Sequence, residues 1–150
     1  MARRLLAGAL GLALLAGVPV SDAARRKRAR YAGKTRQHLS VSFRYARGSK
    51  KVRRFRVTVE IKCEGDGITS VRRVRFRQTS SFIHVNRDRT FSGDTRIKGD
   101  RGDEVRSGKF AVNGRFVSRR RVRGSLHERL RVAGGLRCDS GQIHFSARRR

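Results

Sequence analysis

From residue 38 onward the apolar positions of the chain recur every second residue. Leu39, Val41, Phe43 and Tyr45 alternate with His38, Ser40, Ser42 and Arg44, and Phe55, Val57, Val59, Ile61 and Cys63 alternate with Arg54, Arg56, Thr58, Glu60 and Lys62. A period of two puts one set of side chains on a core and the other in water, so each run predicts a strand with one wet face. Gly48-Ser49-Lys50-Lys51 between the runs and Glu64-Gly65-Asp66-Gly67 after them predict turns.

The pattern continues to the carboxyl end. Val74 and Phe76 alternate with Arg73, Arg75 and Arg77, Phe82 to Val85 is a compact apolar run, and Phe110 to Val117 contains Asn113-Gly114, a hairpin signal. Val122, Gly124, Leu126, Leu130 and Val132 share one parity, with Arg119, Arg121, Arg123, Arg129 and Arg131 on the other; Glu128 interrupts the inward face and predicts a bulge. Leu136, Cys138, Ile143, Phe145 and Ala147 predict a closing strand pair, and Ser92 to Glu104 reads as one long polar loop. About eight short strands with Gly-rich turns and no helical period predict an all-β fold, a single antiparallel β-sandwich or barrel-like domain over 38–148.

The first 23 residues read as an export signal instead of structure. Arg3 and Arg4 precede sixteen uncharged residues, Leu5 to Val20, which is short for a membrane span of about 20 residues. Ser21-Asp22-Ala23 then predicts cleavage after Ala23, and hence a secreted or envelope location. Arg25, Arg26, Lys27, Arg28 and Arg30 follow at once, and positive charge there resists translocation, so an uncleaved membrane anchor is the alternative. Residues 24–37, basic and without apolar periodicity, read as a flexible arm.

Two cysteines, Cys63 and Cys138, are an even count in an exported domain and read most simply as a disulfide. The competing readings are a metal pair, for which no second Cys stands at close spacing, and a catalytic thiol, which leaves the partner unexplained.

The carboxyl third carries a resemblance. Gly124-Ser125-Leu126, the pair Gly134-Gly135, and Cys138-Asp139-Ser140-Gly141-Gln142-Ile143-His144-Phe145-Ser146-Ala147-Arg148 resemble the ending of a family of small secreted β-sandwich domains of unknown function from high-GC, actinobacterial-type bacteria. Tyr31-Ala32-Gly33-Lys34-Thr35-Arg36-Gln37 before the first strand, and a Cys after the second, resemble the same family, over about residues 31 to 148. The resemblance implies a disulfide-pinned β-sandwich and carries no activity. Phe145 departs from it, since the family commonly has Trp there.

Asp139-Ser140-Gly141 after a Cys is similar to the nucleophile segment of trypsin-like serine proteases, with His38 preceding it in the right order. Gln142 replaces the expected glycine, His38 lacks an Ala-His-Cys setting and the chain is too short for a double barrel, so a turn capped by Asp139 and Ser140 is the better reading, with Gly141 at positive φ. Arg101-Gly102-Asp103 is an integrin-type tripeptide that an Arg-rich chain produces by chance. Asp94, Asp100, Asp103 and Glu104 match no calcium loop and read as partners of neighbouring arginines. His38, His84, His127 and His144 lack zinc spacing, and the last two fall on outward parity. The chain therefore presents no catalytic residue, metal site or cofactor motif, and no enzyme is expected.

Charge is the feature too large for chance. Lys plus Arg number 39 against 11 Asp plus Glu, a net charge of +28. Strand parity sends Arg54, Arg56, Arg73, Arg75, Arg77, Arg119, Arg121, Arg123, Arg129 and Arg131 outward, and a basic sheet attracts polyanions. A GC-rich genome explains Arg over Lys, but it does not explain the scarcity of acids. Nucleic-acid binders add exposed aromatics, whereas seven of the eight Phe fall on or near inward positions and Phe91 is unassigned. The expected partners are anionic cell-envelope polymers or other polyanions, with no sequence-specific nucleic acid and no small-molecule substrate; the alternative is a non-specific module for extracellular DNA or acidic glycan.

Overall fold

The alternating runs of the sequence become strands in a computed structural model that describes residues 28–65, 67–78, 82–98 and 105–150. In chain order they are β1 (Arg28–Thr35), β2 (Ser40–Ala46), β3 (Lys51–Gly65), β4 (Ile68–Arg77), β5 (Ile83–His84), β6 (Thr90–Lys98), β7 (Val105–Phe116), β8 (Arg121–Val132), β9 (Arg137–Asp139) and β10 (Ile143–Arg149). Residues 1–23, read as an export signal, and residues Asp100 to Glu104, read as part of a loop with Arg101-Gly102-Asp103, lie outside the described residues.

The ladders close on themselves. β1 pairs β10 and β2, β2 pairs β3, β3 pairs β9, β9 pairs β8, and β8 returns to β10, all antiparallel. Six strands thus form a barrel, which leaves no open edge along the ring. β4 and β5 extend outward from β3, while β7 and then β6 extend from β8. A bridge between Val85 and Phe91 joins the tips of these two extensions.

Inward parity fills the space between them with rings. Tyr31 stacks on Phe43 at 5.2 Å, Phe43 on Phe55 at 5.7 Å, and Phe76 on Phe110 at 3.7 Å. Burying large rings dominates the energy of such a core, and each well-placed pair adds about 0.5–1.5 kcal/mol beyond area. β9 has three residues and few ladder bonds of its own. Cys63 and Cys138 stand directly opposite in the β3–β9 register and form a disulfide, so the shortest strand of the ring is covalently clamped.

Several expectations change. Residues 28–35, read as part of a basic arm, form β1, because Ala29, Tyr31 and Thr35 are buried and the strand finds two partners. Asn113-Gly114 is no hairpin turn: β7 runs straight through it, and the chain reverses at 117–120. Ser92 to Lys98, read as loop, belong to β6, paired along β7. β3 and β8, at 15 and 12 residues, are long rather than short. No bulge occurs at Glu128, since the β7–β8 register is continuous from Ser107 to Phe116; the carboxyl side chain is buried instead. Phe91 is buried at 1% exposure, and the outward ring is Phe82 at 42%. Lys51 Nζ sits 3.5 Å from the Phe82 centroid, a cation–π contact that screens one face.

Candidate polyanion-binding surface

Closing the barrel lines up outward residues of strands far apart in sequence. Arg121 of β8 stands opposite Arg148 of β10, Arg148 opposite Ala32 of β1, Ala32 opposite Ser42 of β2, Ser42 opposite Arg56 of β3, and Arg56 opposite Arg77 of β4. Neighbouring strands lie about 4.8 Å apart, so this row covers roughly 24 Å of curved surface. A second row runs Arg123, Ser146, Lys34 and Ser40, continued by the Ser40–Thr58 hydroxyl contact to Arg75 opposite Thr58. Only basic, small and hydroxyl side chains occupy the two rows.

The rows pass around five of the six barrel strands. The basic surface is therefore a collar instead of the flat sheet face read from parity. β1, β2, β4 and β10 contain no carboxylate. Crowding acts on Arg44: Arg54 chiefly, then desolvation, then Arg30, Arg28 and Arg56 push its guanidinium below the usual arginine value. Arg30 also stands opposite Arg44, and Arg44 opposite Arg53. Like charges side by side on strands oppose each other, and anionic counter-charges relieve them.

The ten arginines marked by parity do not act as one set. Arg56, Arg75, Arg77, Arg121 and Arg123 belong to the collar, while Arg54 lies where the β2–β3 register shifts and crowds Arg44. Arg73 is paired with Glu60 at 2.8 Å, and Arg129 with Asp139 at 3.2 Å. Arg131 stands opposite Arg137, which in turn stands opposite Glu64. Arg119 leaves the sheet altogether and sits in the turn after β7, where its carbonyl accepts the Tyr31 hydroxyl. Parity missed Arg28, Arg30, Lys34 and Arg148. The Arg28-Ala29-Arg30-Tyr31 alternation carried the signal for the first two; it was masked by the basic run before it.

Between the ends of β1, β8 and β10 the collar dips into a groove of about 720 Å³ lined by Lys34, Arg36, Arg123 and His144. Its floor is a hydrogen-bonded chain in which Gln142 Nε2 donates to Ser125 Oγ and Ser125 Oγ donates to Asn113 Oδ1. Cations above a floor of amide and hydroxyl groups suit a phosphate, sulfate or carboxylate oxygen.

The Asp139-Ser140-Gly141 turn is as read. Gly141 has φ +61, Gly141 N donates to Asp139 Oδ1 at 2.7 Å, and Ser140 Oγ accepts from Glu128 N and donates to Gly141 O. His127 is half-buried rather than solvated, with Nε2 2.7 Å from Asp139 Oδ1. Burial alone would raise the Asp139 carboxyl; the Gly141 N–H, His127 and Arg129 outweigh it and hold the group below the usual carboxylate value. Asp94 lies on β6, and among the described residues no three His, Cys, Asp or Glu gather as metal ligands. Comparison with protein-family models, curated proteins and solved structures finds no match to this chain.

Proposed function

We propose that this chain is an exported, disulfide-bonded β-domain held at the cell envelope by anionic polymers, and that the arginine collar is the contact. The carboxylate-free rows on β10, β1 and β2, continued onto β3, β4 and β8, are the observation that carries this reading. Attraction of this kind is non-directional and salt-sensitive, so it selects charge density and reach, not sequence. The proposed export rests on the leader-like residues 1–23 and agrees with a disulfide, which persists in oxidising compartments.

The shape of the collar favours a flexible polymer. Duplex DNA is stiff over about 150 base pairs, so it meets one side of the barrel, whereas a flexible anionic cell-envelope polymer wraps. The second reading, a module for non-specific binding of extracellular DNA or acidic glycan, uses the same surface.

A pull-down of the whole chain on isolated cell wall, double- and single-stranded DNA, and anionic liposomes, repeated across salt concentrations, tests the proposal. Retention on cell wall that falls steeply with salt and exceeds retention on duplex DNA supports envelope anchoring. Stronger retention on DNA of either form moves the protein to the second reading, and salt-independent retention on any of them rejects the collar.

A further inference from the structure

Three turns meet at one end of the barrel, and each is pinned. Lys50 N donates to Arg47 O at 3.3 Å, and Arg89 N donates to Asn86 O at 3.1 Å. Asp88 Oδ1 accepts from Thr90 N and Thr90 Oγ1, and Ser118 Oγ accepts from Arg120 N and Arg121 N. The turns enclose a pocket of about 420 Å³, within the size range of small-molecule sites.

Its rim is cationic. Arg47, Lys50, Arg87, Arg89 and Arg119, all exposed, line it, and among the described residues no carboxylate does. Lys50 and Arg89 have φ +48 and +68, a left-handed conformation where glycine or asparagine is usual. Both are held there by tertiary bonds: Lys50 O accepts from Val85 N at 2.8 Å and Arg89 O from Phe116 N at 3.0 Å. The backbone that presents these two cations is thus tied to the residues of the pocket floor.

That floor is aromatic. The half-buried Tyr45 ring lies 4.6 Å from Phe116, tilted by 42°. Beneath them Tyr31 is buried, edge-on to Phe116 at 5.5 Å, with its hydroxyl donated to Arg119 O at 2.8 Å. Tyr31 and Phe116 are buried, so the accessible aromatic surface of the pocket comes chiefly from the half-buried Tyr45.

We propose that this pocket binds a phosphate ester carrying a planar aromatic ring, the chemistry of a nucleotide, with the ring against Tyr45 and the phosphate among the arginines. Bases stack on aromatic side chains regardless of identity, and arginine adds cation–π and bidentate phosphate contacts. A free nucleotide and the terminal nucleotide of a strand share that chemistry. The site is distinct from the collar and goes beyond polymer retention.

Calorimetric titration of the whole chain with adenosine 5′-monophosphate, ribose 5-phosphate and adenosine tests this. The nucleotide is expected to bind about tenfold tighter than either fragment, because only it uses floor and rim together. Arg87→Gln with Arg89→Gln should weaken it about tenfold with an unchanged circular dichroism spectrum, and Arg56→Gln in the collar should leave it unaltered. Arg87→Gln alone, at an exposed turn position, serves if the double variant misfolds. Both tyrosines of the chain line the pocket, so their ring resonances should shift with the nucleotide. Competition by a 5′-phosphorylated oligonucleotide would assign the strand end, and its absence the free nucleotide. Equal affinity for ribose 5-phosphate, or nucleotide binding untouched by both arginine variants, overturns the pocket while leaving the polymer pull-down to judge the collar.

Discussion

Gly114 and Gly124 face each other directly across the β7–β8 ladder, each beneath a phenylalanine ring. A methyl group at Gly124 would lie 2.6 Å from Phe145 Cζ, and one at Gly114 would lie 2.8 Å from Phe91 Cε1. The two rings fill the space that the missing side chains leave, on both sides of one rung. An Asn-Gly dipeptide that reads as a turn is here a place where an aromatic ring crosses bare backbone.

Gly124→Ala is accordingly expected to destabilise the fold by about 1–3 kcal/mol, since the added methyl meets the Asn113 carbonyl oxygen of the facing strand as well as Phe145 in a filled core. Gly48→Ala, at a turn position where an added methyl meets nothing within 4 Å, should cost far less. Urea denaturation of the two variants checks the contrast.

Glu128 stands opposite Phe110, 1% exposed, and its Oε2 has no hydrogen-bond partner among the described residues. Desolvation pushes its carboxyl up to about 7 from 4.5. A raised folded value means that the folded state holds its proton while the unfolded state releases it. Stability is therefore full below pH about 4.5, falls as pH rises, and the loss is complete above about 7, amounting to roughly 3 kcal/mol. Glu128→Gln should remove most of this dependence, which denaturation midpoints between pH 4 and 8 would reveal.

Reduction of the Cys63–Cys138 bridge, or Cys63→Ala with Cys138→Ala, opens a link across a sequence separation of 75 and frees β9 from β3. The expected loss is about 2–4 kcal/mol, read as a lower denaturation midpoint with reductant than without.

Replacing Arg56, Arg77, Arg121 and Arg148 with Gln interrupts one collar row. The dependence of log affinity on log salt for an anionic polymer should become shallower by about 0.7–0.9 for each phosphate that is no longer neutralised. Stability should hold within about 0.5 kcal/mol or rise, as the removed charges repel one another. Arg129→Gln, which breaks a pair with Asp139, should leave the salt slope nearly unchanged.

Period-two alternation was enough, on its own, to specify an all-β antiparallel protein, most of its core residues and the outward course of its arginines, because burial sorts neighbouring side chains to opposite faces of a strand whatever its partners. The even pair of cysteines likewise pointed to a disulfide. Local pattern could not reveal which strands adjoin. Arg28-Ala29-Arg30 read as a tail because nothing local shows that β2 and β10 wait on either side, and Asn113-Gly114 read as a turn because Phe91 is distant in sequence. Only closure of β8 onto β10 could set Arg121 beside Arg148, separate the carboxylate-free collar from Arg73 and Arg129 with their acids, and bring three turns together around Tyr45. Charge clusters and pockets are properties of register and barrel closure, and these are settled by non-local hydrogen bonds.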